Sequence, residues 1–291
     1  MILQVGVCFF FSDLHGRTGL YRKVFEAISH ERPEAVFMGG DLLPTPWAPV
    51  ESWDSLHQDF VTDFLAENLS GLREELGPQY PQVFLIIGND DCRFEEAAVL
   101  SVAASGLWTY VANRRVKFGE ASVYGYPYVP PTPFLLKDWE RYDVSRYVDP
   151  GCVSPEEGVR SIPVSEREKT FSTISQDLER LTAGDDLATA IFLFHTPPYG
   201  TKLDESSGKG RMIDHVPVDT HLGSIAVRRF IEKRQPLLTL HGHIHDAARI
   251  SGSWHDRLGR TLCLSAAHDG PELALVRFDL DRLEGATREL R

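Results

Sequence analysis

The sequence predicts an α/β protein organised around a largely parallel sheet. Two observations carry that prediction. In the first third of the chain, short apolar runs alternate with amphipathic helical stretches, the pattern of right-handed βαβ units. Five apolar runs along the chain are each followed at once by an Asp, Asn or His, as expected where strand ends gather a ligand site.

The elements follow in order. The run Ile2 to Phe11 is rich in Val, Phe and Leu and bounded by polar residues, which suits a buried strand. After Gly16 a helix is expected, with Leu20, Val24, Ala27 and Ile28 at helical spacing. Ala35 to Met38 makes a second strand, closed by Gly39-Gly40-Asp41. Leu56, Phe60, Phe64 and Leu69 line one side of a second helix, and Val83 to Ile87 forms a third strand ending at Gly88-Asn89-Asp90-Asp91. Trp108 to Tyr126 reads as short strands around turn signals. From Tyr126 to Gly158 the chain is dense in Pro and aromatic residues, and is expected as a long ordered loop over the sheet edge. Phe171, Ile174, Leu178 and Leu181 are in register for a helix. Then come the strand Thr189 to Phe194, a polar loop, a helix from near Ser224 and the strand Leu237 to Leu240. Closing strands are expected around Ala247 to Ile250, Thr261 to Ser265 and Leu273 to Phe278. With no internal repeat, low-complexity tract or linker, residues 1–291 are read as a single domain.

Composition narrows the function. The chain carries 30 Lys+Arg against 42 Asp+Glu, a formal net charge of -12, and is 42% hydrophobic, an ordinary globular balance. The acidic excess argues against non-specific binding to nucleic acid or to an anionic membrane. It permits a small phosphorylated substrate, because a bound cation reverses the sign of the potential within a cleft. Cys8, Cys92, Cys152 and Cys263 are too sparse for a disulfide framework and point to a reducing compartment. The N-terminus lacks the basic region and cleavage site of a signal peptide, and no apolar run is long enough to span a bilayer. A cytoplasmic location is the expectation.

The chemistry gathers in five segments: Asp13-Leu14-His15, Gly40-Asp41, Gly88-Asn89-Asp90-Asp91, His195-Thr196-Pro197-Pro198 and His241-Gly242-His243-Ile244-His245. Taken singly, most have bland readings. Gly-Asp is an everyday turn, Asn89 and Asp90 suit turns or caps, and a single His195 suits a hydrogen-bonded core position. Three alternating histidines have no common structural excuse.

Taken in order, D-x-H, G-D, G-N-x-D, H and G-H-x-H resemble the calcineurin-like metallophosphoesterase superfamily, with motifs spread from Asp13 to His245. His195 to Asp204, His221 to Ser224 and the H-G-H-I-H-D run are similar to the Icc-related bacterial and archaeal phosphoesterases. The resemblance implies a four-layer α/β/β/α sandwich of two mixed sheets. It also implies two divalent ions. One would take Asp13, His15, Asp41 and His245, the other Asp41, Asn89, His195 and His243, with Asp41 as the bridge. Mixed carboxylate, amide and imidazole donors suit Mn first, and also Fe or Zn, over Ca. Two such cations form a clamp for attacking and leaving oxygens and lower the pKa of a bridging water. The expected reaction is hydrolysis of a phosphodiester or phosphoanhydride by the resulting hydroxide. A phosphomonoesterase on the same site is the alternative.

One departure concerns the acid. Many relatives have His where this chain has Asp90, and an ionised carboxylate there would repel a phosphoryl group unless protonated, paired or turned away. Asp90 is carried as a catalytic position, with Arg17 as a phosphate fork and His241 as a replacement acid. His215 and His221 are further candidates for the acid, and Arg93 for the fork. Trp139, Arg141, Tyr142 and Asp143 belong to a loop that is either a substrate lid or an edge cover. A metallo-β-lactamase is excluded, since that family's H-x-H-x-D-H run comes early and in a different order. A non-catalytic scaffold of the same fold is disfavoured by the intact set of seven ligand positions. Metal content and turnover of a chromogenic diester discriminate the two.

Overall fold

Runs that are apolar at every position make strands buried on both faces, and such strands occupy the middle of covered sheets. The computed structural model describes residues 6–45, 59–207, 212–213, 216–217 and 219–291. Strand β1 (Cys8–Phe11) leads into helix α1 (Thr18–Glu31), which buries Leu20, Tyr21, Val24, Phe25, Ala27 and Ile28 on one side. Strand β2 (Ala35–Gly39) follows. A π-helical stretch, Phe60–Ala66, then runs into α2 (Glu67–Leu76), and its start is capped by Asp59, whose carboxylate accepts from the Val61 and Thr62 amides. Leu56 lies outside the described residues. Next come β3 (Gln82–Ile86), α3 (Glu96–Ala103) and the short β4 (Thr109–Tyr110).

The second half opens with β5 (Arg114–Phe118) and β6 (Ala121–Tyr126). After the Pro-rich loop come α4 (Glu166–Phe171), α5 (Ile174–Leu181) and β7 (Ala190–Phe194). A small pair, β8 (Met212–Ile213) and β9 (Val216–Pro217), precedes α6 (Ile225–Arg234). The chain closes with β10 (Leu238–His241), α7 (Ala247–Ser251), β11 (His255–Leu258), β12 (Thr261–Ser265), β13 (Ala274–Phe278) and β14 (Thr287–Leu290).

Two six-stranded mixed sheets result, in the orders β14-β13-β1-β2-β3-β4 and β11-β12-β10-β7-β6-β5. Strands β1 to β4 are parallel, as are β12, β10, β7 and β6, while the outer hairpin strands run antiparallel. The sheets face one another. Phe118 of β5 packs edge-on against Phe37 of β2 and Phe84 of β3, with centroids 6.2 and 5.5 Å away. Burying each such ring is worth about 1.5–3 kcal/mol. The helices lie outside: α1 and α2 contact each other, and α5 contacts α6, whose Phe230 stands 5.0 Å from Phe192 of β7. This is the expected four-layer α/β/β/α sandwich. No helix among the described residues is long and apolar enough to cross a membrane.

Two expectations about elements fail. Ala247 to Ile250 is helical and not a strand. Four residues cannot distinguish the two periods, and Ala-Ala-Arg after Asp246 favours a helical turn, with the Ile250 amide donating to the Asp246 carbonyl at 3.0 Å. The edge strand is β11, joined to β12 through Gly259, whose φ of 62° an L side chain resists. Phe171 does not share a helix with Ile174. Ser172 is extended and Thr173 caps α5 through the Gln176 amide, which leaves Phe171 exposed at the end of α4.

The loop from Tyr126 to Gly158 is ordered and tied down by its own side chains. Tyr128, Trp139 and Tyr142 are buried, and Lys137 and Glu140 form an ion pair with both side chains fully buried. Glu140 also accepts from the Thr132 amide and hydroxyl, and Asp143 accepts from the Ile225 and Ala226 amides at the start of α6.

Candidate metal centre

In the first sheet β1, β2 and β3 are parallel, so the turns after them leave from one edge; β7 and β10 do the same in the second sheet. Backbone hydrogen bonds then knit four of the five turns, and carboxylates tie in the turn after β3. The Asp13 amide donates to the Gly40 carbonyl at 3.0 Å, that of His15 to Asp41 at 2.9 Å, and that of Gly242 to His195 at 2.9 Å. The His243 amide donates to the Asp13 carboxylate at 2.9 Å, joining the two sheets.

Two groups of donor atoms form where these turns meet. Asp13, His15, Asp41 and His245 make one, Asp41, His195 and His243 the other, with ligand atoms in each within 4.8 Å of one another. Asn89 sits beside the second, its Oδ1 3.0 Å from His195 Nε2. Asp41 is common to both. In the first group the Nε2 atoms of His15 and His245 stand 3.3 Å apart, and His245 Nε2 is 3.4 Å from Asp13 Oδ1.

The backbone is strained at these positions. Asp13, His15, Asp41 and His243 all have left-handed φ, at 59°, 45°, 51° and 73°, a conformation that costs a non-glycine residue about 1–3 kcal/mol. Gly88 owes its identity to close approach. A Cβ there would lie 2.3 Å from Asp41 Oδ1 and 2.7 Å from His195 Nε2, so any side chain would displace the shared carboxylate.

Several donors are aimed by a partner behind them. His195 Nδ1–H donates to the Gly39 carbonyl at 2.8 Å, which leaves Nε2 towards Asp41 at 3.1 Å. The Asp90 amide donates to Asp41 Oδ1 at 2.8 Å. The Asn89 amide donates to Asp90 Oδ1 at 3.0 Å, which turns its own Oδ1 towards His195. Ser12, which the sequence does not mark, donates its hydroxyl to Asp13 Oδ2. Asp91 is fully buried and accepts from the Gly88, Leu42 and Leu43 amides, tying the turns after β2 and β3 together. It acts from behind the cluster, a role the run Gly88-Asn89-Asp90-Asp91 did not disclose.

Charge follows from this packing. Burial works to raise both carboxyls of Asp13 and Asp41, but neighbouring histidines outweigh it. The hydrogen bond and charge of His245 hold Asp13 well below the carboxylate range, and His195 holds Asp41 at about 2. Burial works against a charge on His195, yet Asp41 and Asp13 push it up to about 10. His243 is pushed down to about 3 by burial and by the charge of His195. Asp90 is pushed up to about 7 by burial and the charge of Asp41. Two of the three options open to it therefore apply: it is partly protonated near neutral pH, and it is held, accepting from the Asn89 side-chain amide with its Oδ2 3.7 Å from His15 Nδ1.

Other candidates lie elsewhere. His241 is fully buried; its Nδ1–H donates to the Thr196 carbonyl at 2.9 Å and its Nε2 accepts from the Thr239 hydroxyl at 2.8 Å. With both nitrogens engaged and its pKa lowered to about 4 by burial, it is a neutral core histidine and not an acid. Arg17 donates to the carbonyls of Leu14, Gly270 and Asp13, so it braces the turn after β1 instead of presenting an open fork. Arg93 pairs with Glu168 at 3.2 Å, and His221 with Asp204 at 2.9 Å. His215 lies outside the described residues.

Sequence and fold agree on the class. The family model of the calcineurin-like phosphoesterases matches residues 8–247, and the chain belongs to that family. No curated protein matches it. Among solved structures, one aligns over 100% of this chain and 99% of its own at 17% identity, with a TM-score of 0.56. The protein TT1561 of Thermus thermophilus aligns over 99% of each chain at 17% identity, with a TM-score of 0.52. A structure described as a novel archaeal phosphodiesterase covers 98% of this chain and 99% of its own at 10% identity, with a TM-score of 0.45.

Proposed function

We propose that this protein is a metal-dependent phosphoesterase that hydrolyses a phosphodiester or phosphoanhydride in a small substrate, at a centre of two divalent ions. The observation that carries the proposal is the place of Asp41 in both donor groups. A carboxylate has two oxygens and can serve two cations, and the remaining donors divide between them as the sequence motifs imply. The donor set fits such ions: buried carboxylates, imidazoles and one amide oxygen, with Asp13, Asp41, Asn89 and His195 oriented from behind, suit Mn, Fe or Zn. Two ions held there supply a clamp for attacking and leaving oxygens and acidify a bound water.

The chain's own residues set the conditions. His195 keeps one proton on Nδ1 through Gly39, so Nε2 is the atom offered to a ligand. In the metal-free centre Nε2 is also protonated, because Asp41 holds the imidazolium up to about 10. Coordination removes that proton. Adding Mn at pH 7.5 is therefore expected to release about one proton from His195, with metal affinity rising as pH rises. Calorimetric titration in two buffers of different ionisation enthalpy measures it, and identical apparent heats would contradict it.

The reaction preference rests on Asp90. Its carboxylate stands beside the cluster, with 35% of the side chain exposed, where it opposes a dianionic monoester more than a monoanionic diester. With Mn present, the purified protein is expected to turn over an aryl phosphodiester, to lose that activity on chelation, and to prefer the diester over the matched aryl monoester by kcat/KM. Asp90→His should narrow the preference. Full activity in metal-free protein would overturn the two-ion reading, and a monoester preference unmoved by Asp90→His would remove Asp90 from it.

A further inference from the structure

We propose that a second, arginine-lined pocket binds a phosphate-class oxyanion. The pocket encloses about 400 Å3, and Arg93, Arg141, Arg167, Arg180 and Glu168 are the charged side chains on its wall. Four cations converging on one pocket stand out in a chain of net charge -12. Part of this charge is compensated. Glu168 pairs with Arg93 and Arg141, Asp177 with Arg141 and Arg180, and Glu96 lies 3.5 Å from Arg93 Nε. The compensation is incomplete. Arg167 is exposed and makes no hydrogen bond or ion pair among the described residues, and the four arginines meet three carboxylates, Glu96, Glu168 and Asp177. The Arg141 guanidinium carbon lies 4.0 Å from the Tyr128 ring centroid, a cation–π contact that helps hold that arginine at the pocket wall.

A planar guanidinium with spare donors, as at Arg167, matches the tetrahedral oxygens of a phosphate, which takes several charge-assisted bonds at once. The pocket is linked to the metal centre along the chain. Arg93 is four residues beyond Asn89, so their Cα atoms are at most about 14 Å apart. That separation suits either a distal phosphate of the substrate itself or a free phosphate acting from the side.

The test uses the full Mn-loaded chain and inorganic phosphate as the probe, by isothermal titration. Wild type is expected to show one phosphate event that survives excess chelator. Arg167→Gln should weaken that event about tenfold or more. Arg180→Gln, tested separately, should weaken it too, and added salt should weaken it further. Because Arg167 has no structural partner among the described residues, Arg167→Gln should melt with wild type and keep its kcat on a simple aryl diester. No saturable phosphate binding in chelated protein, or equal affinity in wild type and both variants, overturns the proposal. Since this event is read without metal, it stands or falls separately from the two-ion reading. A diester bearing an additional terminal phosphate then separates the sources. If the pocket takes the substrate's own phosphate, Arg167→Gln raises KM for that diester alone. If it takes free phosphate, both KM values hold and the response of wild type to added phosphate is lost.

Discussion

Asp41→Asn should lower kcat/KM on an aryl phosphodiester by more than about 10²-fold. The bound on this effect is conservative, because changing a residue that merely orients a metal ligand already costs about 10–100-fold. Asp41 is itself a donor, and it belongs to both groups. An amide keeps the shape and still offers Oδ1 to the Asp90 amide, so the turn after β2 is preserved. What is lost is the charge that, in the proposed two-ion reading, would serve both cations, and that holds His195 as its partner at 3.1 Å. The substitution should therefore leave the far-ultraviolet circular dichroism unchanged while metal content, measured by elemental analysis, falls. Retained activity with retained metal would show that the two donor groups do not act through a shared carboxylate.

Metal should also stabilise the fold strongly. Asp13, Asp41 and Asp90 lie in or beside one cluster with Asp91 behind it, and the charge of Asp41 adds its repulsion to burial in pushing Asp91 up to about 8. Cations relieve that repulsion, and a ligand bound only by the native state adds RT ln(1 + [L]/Kd), about 4 kcal/mol at a thousandfold excess over Kd. For a chain of this size that is worth roughly 8 °C in Tm. Scanning the melt against Mn concentration should show a continuing rise, and the rise should be reduced in Asp41→Asn. A Tm indifferent to saturating Mn would count against the centre, whatever the activity.

Much of the fold was legible because several of its central strands are apolar at every position and end abruptly. Phe9, Phe10 and Phe11 in β1, or Ile191 to Phe194 in β7, leave little choice but a doubly covered sheet. The short elements were less legible. Ala247 to Ile250 has no period long enough to identify it, and the break at Ser172 depends on Thr173 capping α5 rather than on any apolar pattern.

The donor set was legible for a related reason: Asp13, His15, Asp41, Asn89, His195, His243 and His245 each follow a strand closely, and parallel strands deliver their ends to one edge. Residue type and chain position were enough for them. They were not enough for His241, Arg17, Arg93 or Asp91. His241 has the same sequence neighbourhood as His243, yet it ends inside the sheet with Thr196 and Thr239 on its two nitrogens. Arg17 follows a ligand turn as a phosphate-binding arginine would, but carbonyls including that of Gly270, 253 residues away, take up its donors. Chain order and strand periodicity are local rules, and they suffice to place the side chains of the centre at the sheet edges. Which polar groups stay free to act is settled between the layers instead. A hydrogen-bond partner is chosen by proximity in space, and buried donors take whatever acceptor the packing brings within reach.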